Sequence, residues 1–131
     1  MKTWLYILTT LLAFTLLTGI AENKDVPVDI FKAVEQGNSE DLSYFFNQSI
    51  NLSIMDKSGL YSKKQAEIIL DNFFTENEIK NFEIIQQKEQ ANFSSAICKV
   101  KNQNNSSFNI YLTIYEINNK QVITNLSITL N

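Results

Sequence analysis

The feature that most constrains the fold of this chain is a change in its hydrophobic repeat near residue 77. Before that point apolar side chains recur at every third or fourth position, as across residues 66–73, which is the repeat of an amphipathic helix. After it they recur at every second position, as across residues 108–114, which is the repeat of a strand with one buried face. The sequence therefore predicts an α+β domain in which helices come first and a strand meander follows.

Two helices are predicted near the start of this domain. The first spans about residues 27–34, with Asp25 as a candidate N-cap and Gly37 as a C-terminal stop. The second opens at Ser39 and buries an apolar stripe within residues 42–46. The two helices are expected to meet at about Gly37.

A short strand and a longer helix complete the first part. Alternation across residues 50–54 predicts a strand, and residues 56–59 supply a turn. Ser62 and Gln65 then form a capping box, in which each side chain bonds the other residue's free backbone N–H. The third helix is predicted to run from there to about Glu76.

Four strand candidates follow the change of repeat. They lie at about residues 82–84, 93–100, 108–114 and 122–130. Asparagines stand between them at positions 92, 104, 105, 118 and 119, where this residue tolerates the left-handed conformations of tight hairpins. The predicted sheet is an antiparallel meander, and the helices must cover its apolar face.

The first 21 residues have the layout of a secretory signal peptide. A positive end precedes an uncharged run over residues 4–17, and small residues end the segment at Ala21. We predict cleavage between Ala21 and Glu22, export to the periplasm or the outside of the cell, and one domain over residues 22–131. The alternative is an uncleaved anchor, since residues 3–21 are nearly long enough to span a bilayer. No membrane span is predicted after this segment.

The composition excludes several classes of function. The net charge is −3 and every basic residue is a lysine, scattered among carboxylates, so no nucleic acid partner is predicted. The chain has no histidine and a single cysteine, which excludes zinc sites and histidine-dependent hydrolysis. Three glycines cannot build a phosphate-binding loop. We therefore expect neither a metal nor a cofactor.

Cys98 is that single cysteine, so an intramolecular disulfide is excluded. Its neighbours Ile97 and Val100 place it in a strand. We predict that Cys98 is a buried, unreactive side chain of the core.

Three stretches of the chain resemble known proteins. Residues 33–42, which read Ala-Val-Glu-Gln-Gly-Asn-Ser-Glu-Asp-Leu, followed by the pair Phe45-Phe46, resemble the opening of the NTF2-like (cystatin-like) fold. Residues 60–66, followed by the pair Phe73-Phe74, and residues 81–85 are similar to a family of short exported bacterial proteins known as a domain of unknown function. The resemblance implies a cone, in which three N-terminal helices pack on a curved, mostly antiparallel sheet of four to five strands. It also implies a pocket at the wide end and pairing of two copies through the sheet face.

These observations favour an exported, non-enzymatic binding or interaction module. Its concave face or pocket would receive a small apolar ligand or a protein partner, and no catalytic residue is assigned. The candidate ligand contacts are tyrosines: Tyr44, Tyr61, Tyr111 and Tyr115. The alternative is a small isomerase or hydrolase in which a buried carboxylate works beside a tyrosine. Its candidate acids are Asp56, Asp71 and Glu83.

Overall fold

A computed structural model describes residues 25–131, so the predicted leader and its cleavage point lie outside the described residues. Within residues 25–131 the chain forms three helices and six strands. They are α1 (Val28–Gln36), α2 (Ser39–Tyr44), β1 (Phe46–Ile54), β2 (Lys57–Ser62), α3 (Lys63–Glu76), β3 (Ile79–Glu89), β4 (Phe93–Asn102), β5 (Ser107–Ile117) and β6 (Lys120–Leu130). None of the helices in this part of the chain is long and apolar enough to cross a membrane.

Helix α1 begins at Val28, and its N-cap is Pro27, with φ −53° and ψ 132°. The predicted cap at Asp25 is wrong, because it lies two residues before the true cap, and no side chain caps this end. The fixed φ of proline suits the extended residue that precedes a helix. The predicted stop at Gly37 is confirmed: its φ is 61°, and its N–H and that of Asn38 bond the last carbonyls of α1.

Helix α2 is shorter than its apolar stripe suggested. It begins at Ser39 as predicted, where the Oδ1 of Asn38 accepts a hydrogen bond from the backbone N–H of Asp41 at 3.0 Å. It ends at Tyr44, and Phe46 is the first residue of β1. Phe46 is buried, as the stripe predicted, although it belongs to a strand.

The capping box of α3 is confirmed. Ser62 Oγ accepts from the backbone N–H of Gln65 at 3.2 Å, and Gln65 Oε1 accepts from the backbone N–H of Ser62 at 3.1 Å. Two backbone donors that a helix start leaves free are thereby satisfied. Helix α3 ends at Glu76, where the repeat changes.

Strand β2 is the main departure from the predicted elements. Residues 56–59 were expected to form a turn, but the turn is centred on Met55 and Asp56, with φ 53° at Met55, and Lys57–Ser62 pairs antiparallel with β1. The sheet order is β2-β1-β6-β5-β4-β3, with one parallel pair, β1 with β6. The curved sheet therefore contains more strands than the four to five expected, because Gly59 interrupts the apolar alternation of β2.

One core fills the space between the helices and the sheet. Phe73 of α3 meets Phe108 of β5 edge to face, with ring centroids 5.3 Å apart, and Phe31 of α1 lies 6.4 Å from Phe82 of β3. Leu70 of α3 is fully buried among these elements. The interior of the cone is occupied by packed side chains, and the open volumes described below lie at its margins.

Cys98 on β4 is buried, as predicted. Burial raises the pKa of its thiol to about 12, because the thiolate would lose its hydration in the core. We expect the folded protein to react with a disulfide-exchange reagent at pH 8 about a hundredfold more slowly than the urea-unfolded protein. Since folding raises the pKa of Cys98 from 9.0, the contribution of this thiol to stability should be constant below pH 9 and fall as the pH rises from 9 toward 12. Equal reaction rates in both states would contradict the burial.

Candidate ligand-binding groove

A groove of about 470 Å³ runs between helix α3 and the β1–β2 hairpin. We call it the helix–hairpin groove, and its lining residues are Leu52, Ile54, Lys57, Tyr61, Ile69, Asn72, Phe73 and Glu76. Its floor belongs to the core, since Leu52 is 2% and Phe73 is 7% exposed. The volume lies in the range of about 300–1,000 Å³ that small-molecule sites occupy.

Gly59 determines how Tyr61 lines this groove. The two residues are two positions apart on β2, so they share a face of the sheet, and they pair with Leu52 and Ile50 of β1. A Cβ at Gly59 would lie 3.2 Å from ring atoms and the hydroxyl of Tyr61. The ring therefore lies along the strand against Gly59. A glycine inside a strand is the sequence signal for such a close approach.

The rim of the groove is polar, whereas its floor is apolar. Lys57 and Glu76 contribute opposite charges and Asn72 contributes an amide. Ile69, half-buried against the core, forms the helical wall. Because the two rim charges cancel and the floor offers hydrocarbon surface, the arrangement suits a small apolar ligand without net charge.

The four candidate tyrosines do not come together. Tyr61 lines the helix–hairpin groove, and Tyr44 is 77% exposed at the end of α2. Tyr111 is 40% exposed on the outer face of β5, and Tyr115 packs on Phe93 with ring centroids 5.5 Å apart. Only Tyr61 of the four therefore lines this groove in the described part of the chain.

The three candidate acids also lie apart. Asp56 is exposed in the β1–β2 turn, and Asp71 is exposed on α3, where it accepts a hydrogen bond from Ser39 Oγ at 3.1 Å. Glu83 is exposed on β3 opposite Lys99. The groove is lined by none of these three acids. Among residues 25–131, no group of three His, Cys, Asp or Glu side chains could hold a metal ion.

Sequence reasoning missed most of the groove. Ile69 and Phe73 were assigned to the buried face of α3, and the helical repeat cannot distinguish the centre of that face from its margin. Lys57 and Glu76 carried no signal, because isolated charges at a turn and at a helix end are common on any surface. Gly59, two residues before Tyr61, was the signal that could have located the groove, because a glycine permits an aromatic ring to lie against the strand.

Comparisons with known proteins agree with this architecture. The family described as "Domain of unknown function (DUF4783)" matches residues 27–129. A DUF4783 family protein from Bacteroides ovatus ATCC 8483 has a TM-score of 0.78 and 22% identity, and the similarity covers 83% of this chain and 98% of that one. A DUF4783 family protein from Bacteroides fragilis YCH46 has a TM-score of 0.76 and 26% identity, covering 82% of this chain and 100% of that one.

A more distant solved structure extends the likeness. An NTF2-like protein of unknown function from Shewanella baltica OS155 has a TM-score of 0.61 and 13% identity, covering 79% of this chain and 86% of that one. No curated protein matches the chain. The NTF2-like fold that the sequence resembled is confirmed, with three helices on a curved sheet.

Proposed function

This chain belongs to the DUF4783 family, and from that premise we propose that it is an exported, non-enzymatic binding module whose helix–hairpin groove receives a small apolar ligand. The observation that carries the proposal is the apolar floor and walls of the groove. Leu52 and Phe73 present core hydrocarbon to an open volume of about 470 Å³ on the helix-covered side of the sheet. An apolar ligand there would cover the half-buried wall residues Ile54, Tyr61 and Ile69, whose exposed hydrocarbon is otherwise in contact with water.

A ligand small enough for this groove is expected to bind with modest affinity. A ligand that buries about 200 Å² of apolar surface gains about 5 kcal/mol from removal of that surface from water. Association costs at least about 4 kcal/mol in lost freedom of motion, so the polar rim must contribute orientation and the remaining affinity. Lys57, Asn72 and Glu76 can hydrogen-bond polar atoms of the ligand at the mouth.

A space-filling substitution tests this site. We expect Ile69→Trp to raise the Kd of the neutral fluorescent probe N-phenyl-1-naphthylamine by about tenfold or more, because the indole occupies the volume that the probe needs. The matched control is Ile68→Trp, since Ile68 is the preceding residue on α3, is 52% exposed and does not line the groove. The control should bind within about twofold of the wild-type protein.

The comparison separates binding from folding. Thermal unfolding of both variants establishes that each is folded before titration. Equal probe affinity for wild type, Ile69→Trp and Ile68→Trp would show that the probe does not bind in this groove. No measurable binding by the wild-type protein would contradict the proposal that the protein binds an apolar ligand.

We also propose that the chain is exported after cleavage between Ala21 and Glu22. The segment before the cut has the charge, length and small-residue exit of a signal peptide. Intact-mass measurement of protein recovered from the periplasm or the medium should give a chain that begins at Glu22. Recovery of a chain that retains Met1, bound to the membrane, would instead support the anchor.

Pairing of two copies through the sheet face stays a prediction. The outer face carries apolar side chains that a second copy would cover, among them Leu60, 67% exposed, and Tyr111, 40% exposed. Such an isologous contact would leave the helix–hairpin groove free, because the groove lies on the helix-covered side.

A further inference from the structure

A second groove lies at the end of the sheet where β1 and β6 begin and β5 ends. It has a volume of about 750 Å³, and we call it the end groove. Tyr44, Phe45 and Phe46, at the junction of α2 and β1, form one wall, and the β5–β6 hairpin forms another. Lys63, the first residue of α3, stands beside Tyr44. The end groove shares no lining residue with the helix–hairpin groove.

Irregular backbone shapes this end of the sheet. Between its pairings at Phe46 and Asn51, β1 advances five residues while β6 advances two, from Ile123 to Asn125, so part of β1 leaves β6. The Ile123 backbone N–H still donates to the carbonyl oxygen of Phe45, at 2.7 Å, and holds the two elements together above the gap. Such bulges re-aim side chains and are common beside functional sites.

The β5–β6 turn forms the opposite wall, and its backbone conformation is also unusual. Asn118 and Asn119 adopt φ values of 52° and 61°, the left-handed conformation that a two-residue hairpin turn requires. The tight turn brings Ile117, Lys120 and Val122 to the groove as its lining. An apolar wall and an ammonium group therefore share one short hairpin.

The charge of the end groove is opposite to that of the chain. The chain has fourteen carboxylates and eleven lysines, yet the lining includes Lys63 and Lys120 and no carboxylate. Its other members are aromatic, aliphatic or amide side chains. Glu116 lines a separate small cavity, which adjoins this one at Gln121. Two ammonium groups with no carboxylate among the lining residues favour an anionic ligand over a cationic one.

Two features bear on where an anionic group would lie in the end groove. The ammonium of Lys63 donates to the carbonyl oxygen of Tyr44 at 3.3 Å and lies 5.9 Å from the centroid of the Tyr44 ring, so the charge and the aromatic face are held together. Gln121 lines both this groove and the small cavity beside it, and its Oε1 is buried with no hydrogen-bond partner within the described residues. This oxygen is an acceptor, so an anionic group would lie away from it and toward the ammonium groups.

We propose that the end groove binds a small organic anion with an aromatic or acyl body. The body would pack on Tyr44, Phe45 and Val122, and the carboxylate, sulfonate or phosphate would lie with the ammonium groups of Lys63 and Lys120. A charge-assisted hydrogen bond to ammonium is shorter and stronger than a neutral one, so the anionic group supplies the specificity. The site is independent of the helix–hairpin groove, and it binds anionic ligands, whereas the helix–hairpin groove binds neutral ones.

Two probes with one aromatic body test the proposal. 8-Anilinonaphthalene-1-sulfonate carries the anion, and N-phenyl-1-naphthylamine is the same body without it. We expect the double variant Lys63→Gln/Lys120→Gln to raise the Kd of the sulfonate by about tenfold while the Kd of the neutral probe changes by less than about twofold. Ile69→Trp should leave sulfonate binding unchanged.

Matched variants control for total charge and for folding. Lys99→Gln/Lys101→Gln removes the same charge from β4 and should bind the sulfonate within about twofold of wild type. Lys63→Arg/Lys120→Arg keeps the charge in the groove and should bind the sulfonate more tightly than the glutamine variant of the same two residues. Removal of Lys63 from the first turn of α3 relieves an unfavourable helix-dipole interaction, so the test variant should remain folded. Equal losses in the two glutamine variants, an equal loss of both probes, or no sulfonate binding by wild type would overturn the proposal.

Discussion

Leu70→Ala is expected to lower the free energy of unfolding by about 3 kcal/mol. Leu70 is fully buried at the centre of α3, between that helix and the sheet. Truncation removes its apolar transfer energy and leaves a cavity that the aromatic side chains around it cannot fill without leaving their rotamers. Urea unfolding followed by circular dichroism measures the change, as a lower midpoint with an unchanged dependence on denaturant.

Ile68→Ala is the matched control for this prediction. Ile68 lies two residues away on the same helix and is 52% exposed. Its truncation should change stability by no more than about 0.5 kcal/mol, because little hydrocarbon leaves the core and alanine favours the helix. If the two substitutions were equally costly, α3 would not bury the face that contains Leu70.

Asn102→Leu is expected to cost about 3 kcal/mol, mainly through unsatisfied hydrogen bonds. Asn102 is 5% exposed at the end of β4. Its Oδ1 accepts from the backbone N–H groups of Asn104 and Ser106, both at 2.9 Å, and its Nδ2 donates to Asn77 Oδ1 at 3.0 Å. Asn77 in turn donates to the carbonyl oxygen of Phe73 at 3.0 Å. One buried amide therefore joins the β4–β5 turn to the end of α3.

The size of this effect follows from the groups that leucine leaves behind. Leucine has the same branched skeleton of heavy atoms as asparagine, with bulkier methyl groups in place of the amide, but two backbone donors and the Asn77 amide would lose their partner in a part-buried place. Asn104→Ala is the control, since Asn104 is exposed and the network uses its backbone N–H. Chemical denaturation should show a change of at most about 0.5 kcal/mol for the control. A comparable loss in both variants would show that the turn, and not the amide network, sets the stability.

Local patterns predicted most of the fold. The change of repeat near residue 77 separated α3 from the strands, and the capping box at Ser62 and the left-handed Gly37 marked helix ends correctly. These signals succeed because each depends on residues within about one turn of each other. The Asp25 cap and the turn at residues 56–59 were wrong, since a proline and a glycine acted through backbone geometry that side-chain patterns do not report.

The candidate sites were much less predictable. Tyr44, Tyr61, Tyr111 and Tyr115 were chosen as aromatic residues with a polar end, and the structure distributes them over separate surfaces. The two grooves are formed by residues far apart in the chain, such as Tyr44 with Lys120 and Lys57 with Glu76. No spacing rule connects such pairs, because their separation in space depends on how the sheet curves and which strands are neighbours.

The sequence by itself determined the class of this protein: helices before strands, one buried apolar face for each, a buried lone cysteine, and the absence of any histidine for chemistry. Those properties follow from side-chain type and from periods of two and 3.6 residues, which are local. Only the tertiary structure decided that β1 pairs in parallel with β6, that the cone interior is filled, and that open volume remains beside α3 and at the β5–β6 hairpin. Pairing across the sheet and the bulges in it depend on the free energy of the whole core, to which distant residues contribute together.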